Sequence, residues 1–212
     1  MESLRADLAA RWERVERRCP DPGRVAALGS ALVDSWAEPH RRYHDLTHLQ
    51  NVLAGVDELA DWADDPFVVE LAAWYHDAVY DGAPAAEERS AARAERELAA
   101  VGLSGGLVAE VARLVRLTVH HNPAPADRNG AVLCDADLAI LAADAGRYAS
   151  YATAVRSEYA HIGDADFRAG RAAILRDLLT QPTLFRTPIG RTRWEASARA
   201  NLTAELTHLE HP

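Results

Sequence analysis

Apolar residues recur at three- and four-residue spacing along nearly the whole chain, while strict alternation rich in Val, Ile and Thr is rare. Ala, Leu, Arg and Glu, good helix formers, dominate this pattern. It predicts an all-α fold of about ten helices, over 3–18, 22–36, 45–62, 66–80, 86–101, 106–121, 131–144, 146–162, 164–180 and 191–209. The breaks carry turn chemistry: Cys19-Pro20-Asp21-Pro22, Asp65-Pro66, Asp81-Gly82-Ala83-Pro84, Gly105-Gly106, Asn122-Pro123 and Thr187-Pro188. The last helix, after Pro188, reads as a C-terminal flap.

The predicted helix at 66–80 departs from the amphipathic pattern. Phe67, Val68, Val69, Leu71, Ala72, Ala73, Trp74 and Tyr75 make it apolar on almost every side, with Glu70 its one charged residue before His76-Asp77. A helix apolar all round is buried. An aspartate beside a histidine at its end then needs a partner or a cation.

Length and charge narrow the picture. With 212 residues and no long linker or repeat, one domain over 1–212 is expected. Lys plus Arg number 23 against 32 Asp plus Glu, a net charge of −9, which argues against a nucleic-acid polymer or an anionic membrane as partner. Two cysteines, Cys19 and Cys134, exclude a disulfide framework. No signal peptide or membrane span is visible, so a cytoplasmic protein is expected, with a homodimer as a possible state.

Four segments place chemistry on apolar faces. His44 and His48 are four apart and share one helical face if their helix begins this early. His48 continues into Val52, Val56 and Leu59, an inward stripe, and reads either as a core histidine or as a ligand. His76-Asp77 closes the buried helix. Asp137 lies among Leu133, Cys134, Ile140 and Leu141, whereas Asp135 suits a helix N-cap. His121 falls on the stripe Leu107, Val111, Leu114, Thr118, and His120 lies with Arg113 and Arg116 on the polar face. Imidazole and carboxylate together suit Mn, Fe, Co, Ni or Zn.

The order His48, His76-Asp77, Asp137 resembles the H…HD…D signature of the HD-domain metal-dependent phosphohydrolases. Arg42-Tyr43-His44-x-x-x-His48, Tyr75-His76-Asp77-Ala78-Val79-Tyr80-Asp81, Glu87-Glu88-x-Ser90-Ala91, Thr118-x-x-His121, Asp135-Ala136-Asp137-Leu138, Arg156-x-Glu158-Tyr159 and Gly170-Arg171 are similar to a bacterial family of predicted HD phosphohydrolases, from about residue 40 to 205. The resemblance implies a helical bundle with a divalent metal (Mn, Fe, Co, Ni, Zn or Mg) between helices, held by His48, His76, Asp77 and Asp137. Tyr43-His44-Asp45-x-x-His48 also resembles the Y-H-N-x-x-H segment of cyclic-nucleotide phosphodiesterases, with Asp45 in place of Asn, and implies that His44 is a general acid. The run from His76 to Asp81 resembles H-D-T-V-E-D of alarmone hydrolases, but Tyr80 replaces the catalytic Glu.

The expected activity is metal-assisted hydrolysis of a nucleotide or other small phosphoester, in which Asp81 or Glu88 orients the attacking water. Arg171 lies with Ile174, Leu175 and Leu178 on an inward stripe and needs a partner: substrate phosphate, or Glu158 in a buried ion pair. Arg171, His121 and Glu158 are the expected substrate side of the site. Arg41 and Arg42 are expected at the surface. Two other readings stay open: an HD-type di-iron oxygenase with His121 on a second metal, and a silent nucleotide- or metal-binding module.

Overall fold

The protein is described here by a computed structural model covering residues 2–211. Among the described residues there are eleven α-helices, two single-turn 3-10 segments and no strand. The helices are α1 (Glu2–Glu16), α2 (Pro22–Trp36), α3 (Leu46–Leu59), α4 (Pro66–Tyr75), α5 (Ala86–Ala100), α6 (Gly105–Leu117), α7 (Arg128–Leu138), α8 (Ala145–Glu158), α9 (Asp164–Thr180), α10 (Pro188–Arg193) and α11 (Glu195–Glu210). Aspartates cap many of the N-termini: Asp21, Asp45, Asp65, Asp127 and Asp144 each accept from backbone N–H groups of the first turn.

The apolar stripes of α1–α7 close around α4, whose residues from Phe67 to Tyr75 are buried apart from Glu70. That carboxylate accepts from Arg11 at 2.8 Å. A second apolar cluster, with Leu141, Tyr148, Leu175, Phe185, Ala198 and Leu202, joins α8, α9 and α11, and Trp194 packs against both clusters. Two close approaches set the geometry. A Cβ on Gly29 would stand 2.1 Å from the Trp12 ring, and one on Gly55 would stand 3.0 Å from Ala136 Cβ. Gly55 therefore lets α3 and α7 cross backbone to backbone, which brings the helices of His48 and Asp137 together.

The structure revises several predicted bounds. The helix expected to reach 80 stops at Tyr75, because the turn after it is held from outside: Arg41 and Arg93 donate to the carbonyls of Asp77 and Ala78, and Ser90 Oγ accepts from Val79 N–H at 3.0 Å. The helix expected over 106–121 ends at Leu117. The single helix expected over 191–209 is divided at Trp194 into α10 and α11. The C-terminal segment is not a flap. Ala198 and Leu202 are fully buried, and Asn201 donates to the carbonyls of Leu141 and Ala143.

Arg41, expected at the surface, is 4% exposed. Its guanidinium donates to the carbonyl oxygens of His44 (2.9 Å), Asp77 (2.8 Å) and Ala78 (3.5 Å) and to the Glu38 carboxylate (3.2 Å), and it lies against the Trp36 ring. It ties the loop before α3 to the turn after α4. Arg42 next to it is exposed, as expected. In urea denaturation Arg41→Ala is expected to lower stability by about 3 kcal/mol, because the carbonyls lose a buried charged donor. Arg42→Ala is expected to stay within about 0.5 kcal/mol of the parent. Equal effects of the two would show that Arg41 does not hold the loops.

Candidate metal centre

The convergence begins at α3 and the end of α4. Asp45 accepts from the N–H groups of Thr47 and His48 and starts α3 at Leu46, which turns His48 inward. His76 follows the last turn of α4, and its Nδ1 lies 2.8 Å from the Ala73 carbonyl. That carbonyl can only accept, so Nδ1 carries the hydrogen and Nε2 presents its lone pair. His48 Nε2 is 3.1 Å from His76 Nε2. Asp137 Oδ1 is 3.2 Å from the first and 3.6 Å from the second. One atom each from His48, His76 and Asp137 thus lie mutually within 4.8 Å, a group that could hold a metal ion. Asp77 Oδ2 adjoins it, 3.5 Å from His76 Nε2. Metal–ligand bonds of about 2.0–2.2 Å place neighbouring donors roughly 3–3.6 Å apart, so these spacings fit one ion.

The protonation states fit as well. Burial pushes the His48 imidazole down, and His76 and His44 add to this against the pull of Asp137. Burial alone would raise the Asp137 carboxyl. The neighbouring His76 and the hydrogen bonds from His121 and His48 outweigh it and hold the group well below its usual range. A neutral imidazole beside an ionised carboxylate is what a metal binds.

His44 does not share a helical face with His48, because it precedes the N-cap of α3. It is held instead from α8. Glu158 Oε1 accepts from the consecutive backbone N–H groups of Arg42, Tyr43 and His44 at 2.8–2.9 Å, and Oε2 accepts from His44 Nδ1 at 2.7 Å. The ring stacks on Tyr80 at 4.2 Å, and its Nε2 faces Asp77 at 3.9 Å. Burial pushes the imidazole down, but Glu158 and Asp77 pull harder and its pKa is raised. With Nδ1 on Glu158, His44 turns Nε2 toward the trio, and the raised pKa favours a proton there. The Arg171–Glu158 pair, one of the two partners the sequence offered for Arg171, does not form. Glu158 is a positioning residue for the His44 loop, and Arg171 bonds Glu205 at 2.8 and 3.0 Å and the Tyr151 hydroxyl at 3.1 Å.

His121 also reaches the site by a route other than the one expected. It lies beyond α6 in the left-handed region, with φ 48°, and its Nε2 is 2.7 Å from Asp137 Oδ2. It occupies the second oxygen of that carboxylate and fixes its orientation. His120 is exposed, as expected. Asp135 is no N-cap, that role belonging to Asp127; it is fully buried and accepts from the N–H groups of Arg186 and Thr187 at 2.8 Å. Cys134 is a buried free thiol.

Asp81 and Glu88 are not brought to this group. Asp81 forms a two-point ion pair with Arg89 at 2.6 and 2.7 Å, and Glu88 forms one with Arg116 at 2.6 and 2.7 Å, both at the surface. Sequence reasoning missed other residues. Beside the trio opens a cavity of about 310 Å³ lined by Tyr43, His48, Asn51, Asp137 and Arg147 among others. Among the described residues no carboxylate pairs with the Arg147 guanidinium; only its backbone N–H is used, on Asp144. Tyr43 packs on His48 and on Tyr151, at 4.8 and 4.6 Å between ring centres. Arg147 adjoins the predicted break near 145, and the one acidic residue at helical spacing from it, Asp144, is taken up as the N-cap of α8.

Compared with known proteins, the chain matches no family model, no curated protein and no solved structure. The likeness to HD phosphohydrolases rests on its motifs. No helix among the described residues is long and apolar enough to cross a membrane.

Burial would raise the Glu158 carboxyl, but His44 and the backbone donors of Arg42 and Tyr43 pull it from 4.5 down to about 2. A depressed carboxyl stabilises the fold above its unfolded pKa, and this is lost as pH falls through the folded one. Between pH 5 and 2 the parent is therefore expected to lose about 3 kcal/mol more than Glu158→Gln does. Parallel acid limbs in chemical denaturation would show that Glu158 does not clamp the loop.

Proposed function

We propose that this chain is a metal-dependent phosphohydrolase acting on a small phosphoester. The observation that carries the reading is the meeting of His48 Nε2, His76 Nε2 and Asp137 Oδ1, with Asp77 Oδ2 next to His76, beside a His44 imidazole aimed by Glu158. Two nitrogens and two carboxylate oxygens suit Mn, Fe, Co, Ni or Zn better than Mg. A divalent cation in this group would polarise a phosphoryl oxygen and acidify the attacking water.

The residues of the chain supply the rest. His44 Nδ1–H stays on Glu158, so the proton at Nε2 is the one available to the leaving oxygen when the phosphorus–oxygen bond breaks. Arg147 replaces Arg171 as the donor for phosphate, because its guanidinium has no carboxylate partner and lines the cavity that contains Asp137. His121 keeps Asp137 turned toward the two imidazoles. That task leaves His121 committed, and the di-iron reading gains no support from it.

Purified protein is to be assayed for phosphate release from a set of phosphorylated metabolites with Mn, Co, Ni, Mg and Zn supplied in turn. Asp77→Ala and Asp137→Ala are expected to lose bound metal together with turnover of every ester. His44→Ala is expected to keep its metal, to fall about 10²–10⁴-fold on alkyl phosphates, and to recover on 4-nitrophenyl phosphate, whose leaving group needs no proton. Absence of phosphate release from every ester would reject the reading, and loss of metal in His44→Ala would reject the acid assignment.

A further inference from the structure

A second cavity, of about 340 Å³, runs between α8 and α9 and ends at His44. Tyr151, Tyr159 and Phe167 present rings to it, and Val155, Ile162 and Ile174 complete its apolar wall. Tyr159 and Ile174 are 41% and 56% exposed, which puts two of the four exposed large hydrophobic residues among the described residues in this one groove. Its volume lies in the range of small-molecule sites.

The charges around the groove decide what it can accept. Arg171 is neutralised by Glu205, and Arg156, which lies over the Phe167 ring, is held by Asp164 and the carbonyls of Tyr159 and Ile162. Asp166 also lines the groove and forms no ion pair among the described residues. A phosphate would meet an unpaired carboxylate here and no free cation, whereas the cavity on the other side of the trio offers Arg147. Tyr43 lines that first cavity, Tyr151 lines the second, and their rings touch.

We infer that the groove between α8 and α9 receives the leaving group of the substrate and that this group carries a planar aromatic ring. The inference rests on the phosphohydrolase reading and deepens it. When water attacks phosphorus, the bond from phosphorus to the leaving oxygen breaks and its electron pair stays on that oxygen. The oxygen takes the proton from His44 Nε2, and the proton lost by the water returns His44 to its starting state through solvent. The alcohol then lies at the end of the groove where His44 stands, with its ring among Tyr151, Tyr159 and Phe167. The unpaired Asp166 carboxylate is an acceptor for N–H or O–H groups on that ring. Face and edge contacts with three aromatic rings select a flat ring over a saturated chain.

The test compares benzyl phosphate with ethyl phosphate, whose leaving alcohols are of similar acidity, in metal-loaded parent, Tyr159→Ala and Phe167→Ala protein. Both side chains are partly exposed, so each variant is expected to fold. The kcat/KM ratio of benzyl over ethyl ester is expected to fall about tenfold or more in each variant. In parallel, 1-naphthol is titrated by its fluorescence, a readout that needs no turnover, and its affinity is expected to weaken about tenfold or more. An unchanged ratio overturns the inference and leaves the phosphohydrolase reading intact. Naphthol binding that depends on both rings, together with no phosphate release from either ester or from any metabolite of the screen, keeps the aromatic site and removes the phosphohydrolase reading. A concentration-dependent sedimentation shift abolished by Tyr159→Ala makes the groove an interface between copies and overturns the inference.

Discussion

Two buried imidazoles face each other, and the centre of the fold is arranged around that fact. His48 and His76 bring Nε2 atoms to 3.1 Å inside an apolar bundle. The Ala73 carbonyl holds the hydrogen of His76 on its other nitrogen, so a lone pair points at His48. At this distance the His76 lone pair is met either by an Nε2–H of His48 or by a cation that both rings bind. The carboxylates of Asp137 and Asp77 add negative charge at the same point. Burial keeps His48 from taking up a proton readily, while the imidazoles keep Asp137 ionised. A cation held by His48, His76 and Asp137, with Asp77 beside them, would offset the negative charge that the two carboxylates bring.

Such a point cannot be built from helices alone. His44, His76, Asp77 and His121 all lie just outside helical segments, where backbone groups have no intrahelical partners. Buried charged side chains meet this demand. Arg41 supplies donors to the carbonyls of His44, Asp77 and Ala78, Glu158 accepts from three N–H groups before α3, and Asp135 accepts from two before α10. Each of these residues acts on backbone one or a few positions from a site residue or at the rear of its helix. Removing one of them would both orphan polar groups in the interior and release the geometry that the site needs.

The helices were legible because a 3.6-residue stripe is a local property of sequence, and the inward placement of His48 followed from Val52, Val56 and Leu59 in the same way. The apolar belt of α4 announced its own burial. The anchors were not legible, because a side chain that bonds distant backbone leaves no periodic trace. Arg41 and Arg42 look alike in sequence, yet one is buried and the other exposed. Arg171 stood on an inward stripe and plainly needed a partner, but only the tertiary fold decides between Glu158 and Glu205, 13 residues before it and 34 after. His121 was placed on the stripe of a helix that in fact ends at Leu117, and it reaches Asp137 through a left-handed turn.

Asp135 and Asp137 show how one short helix serves both ends of this arrangement. Residues two apart on a helix of 3.6 residues per turn point roughly 200° from each other. Asp137 therefore faces the imidazoles while Asp135 faces the chain at Arg186 and Thr187. Burial pushes the Asp135 carboxyl up even though those two N–H groups restrain it, whereas the histidines around Asp137 pull its carboxyl down. The fit behind α7 is tight, since a Cβ on Gly190 would stand 2.5 Å from Asp135 Oδ2. On the opposite side Gly55 lets α3 touch Ala136, the residue between the two aspartates. α7 is thus wedged between α3 in front and the start of α10 behind, and Asp137 cannot shift without disturbing both. The C-terminal segment contributes no residue to the trio, yet through Asp135 it sets where one member of the trio, Asp137, lies.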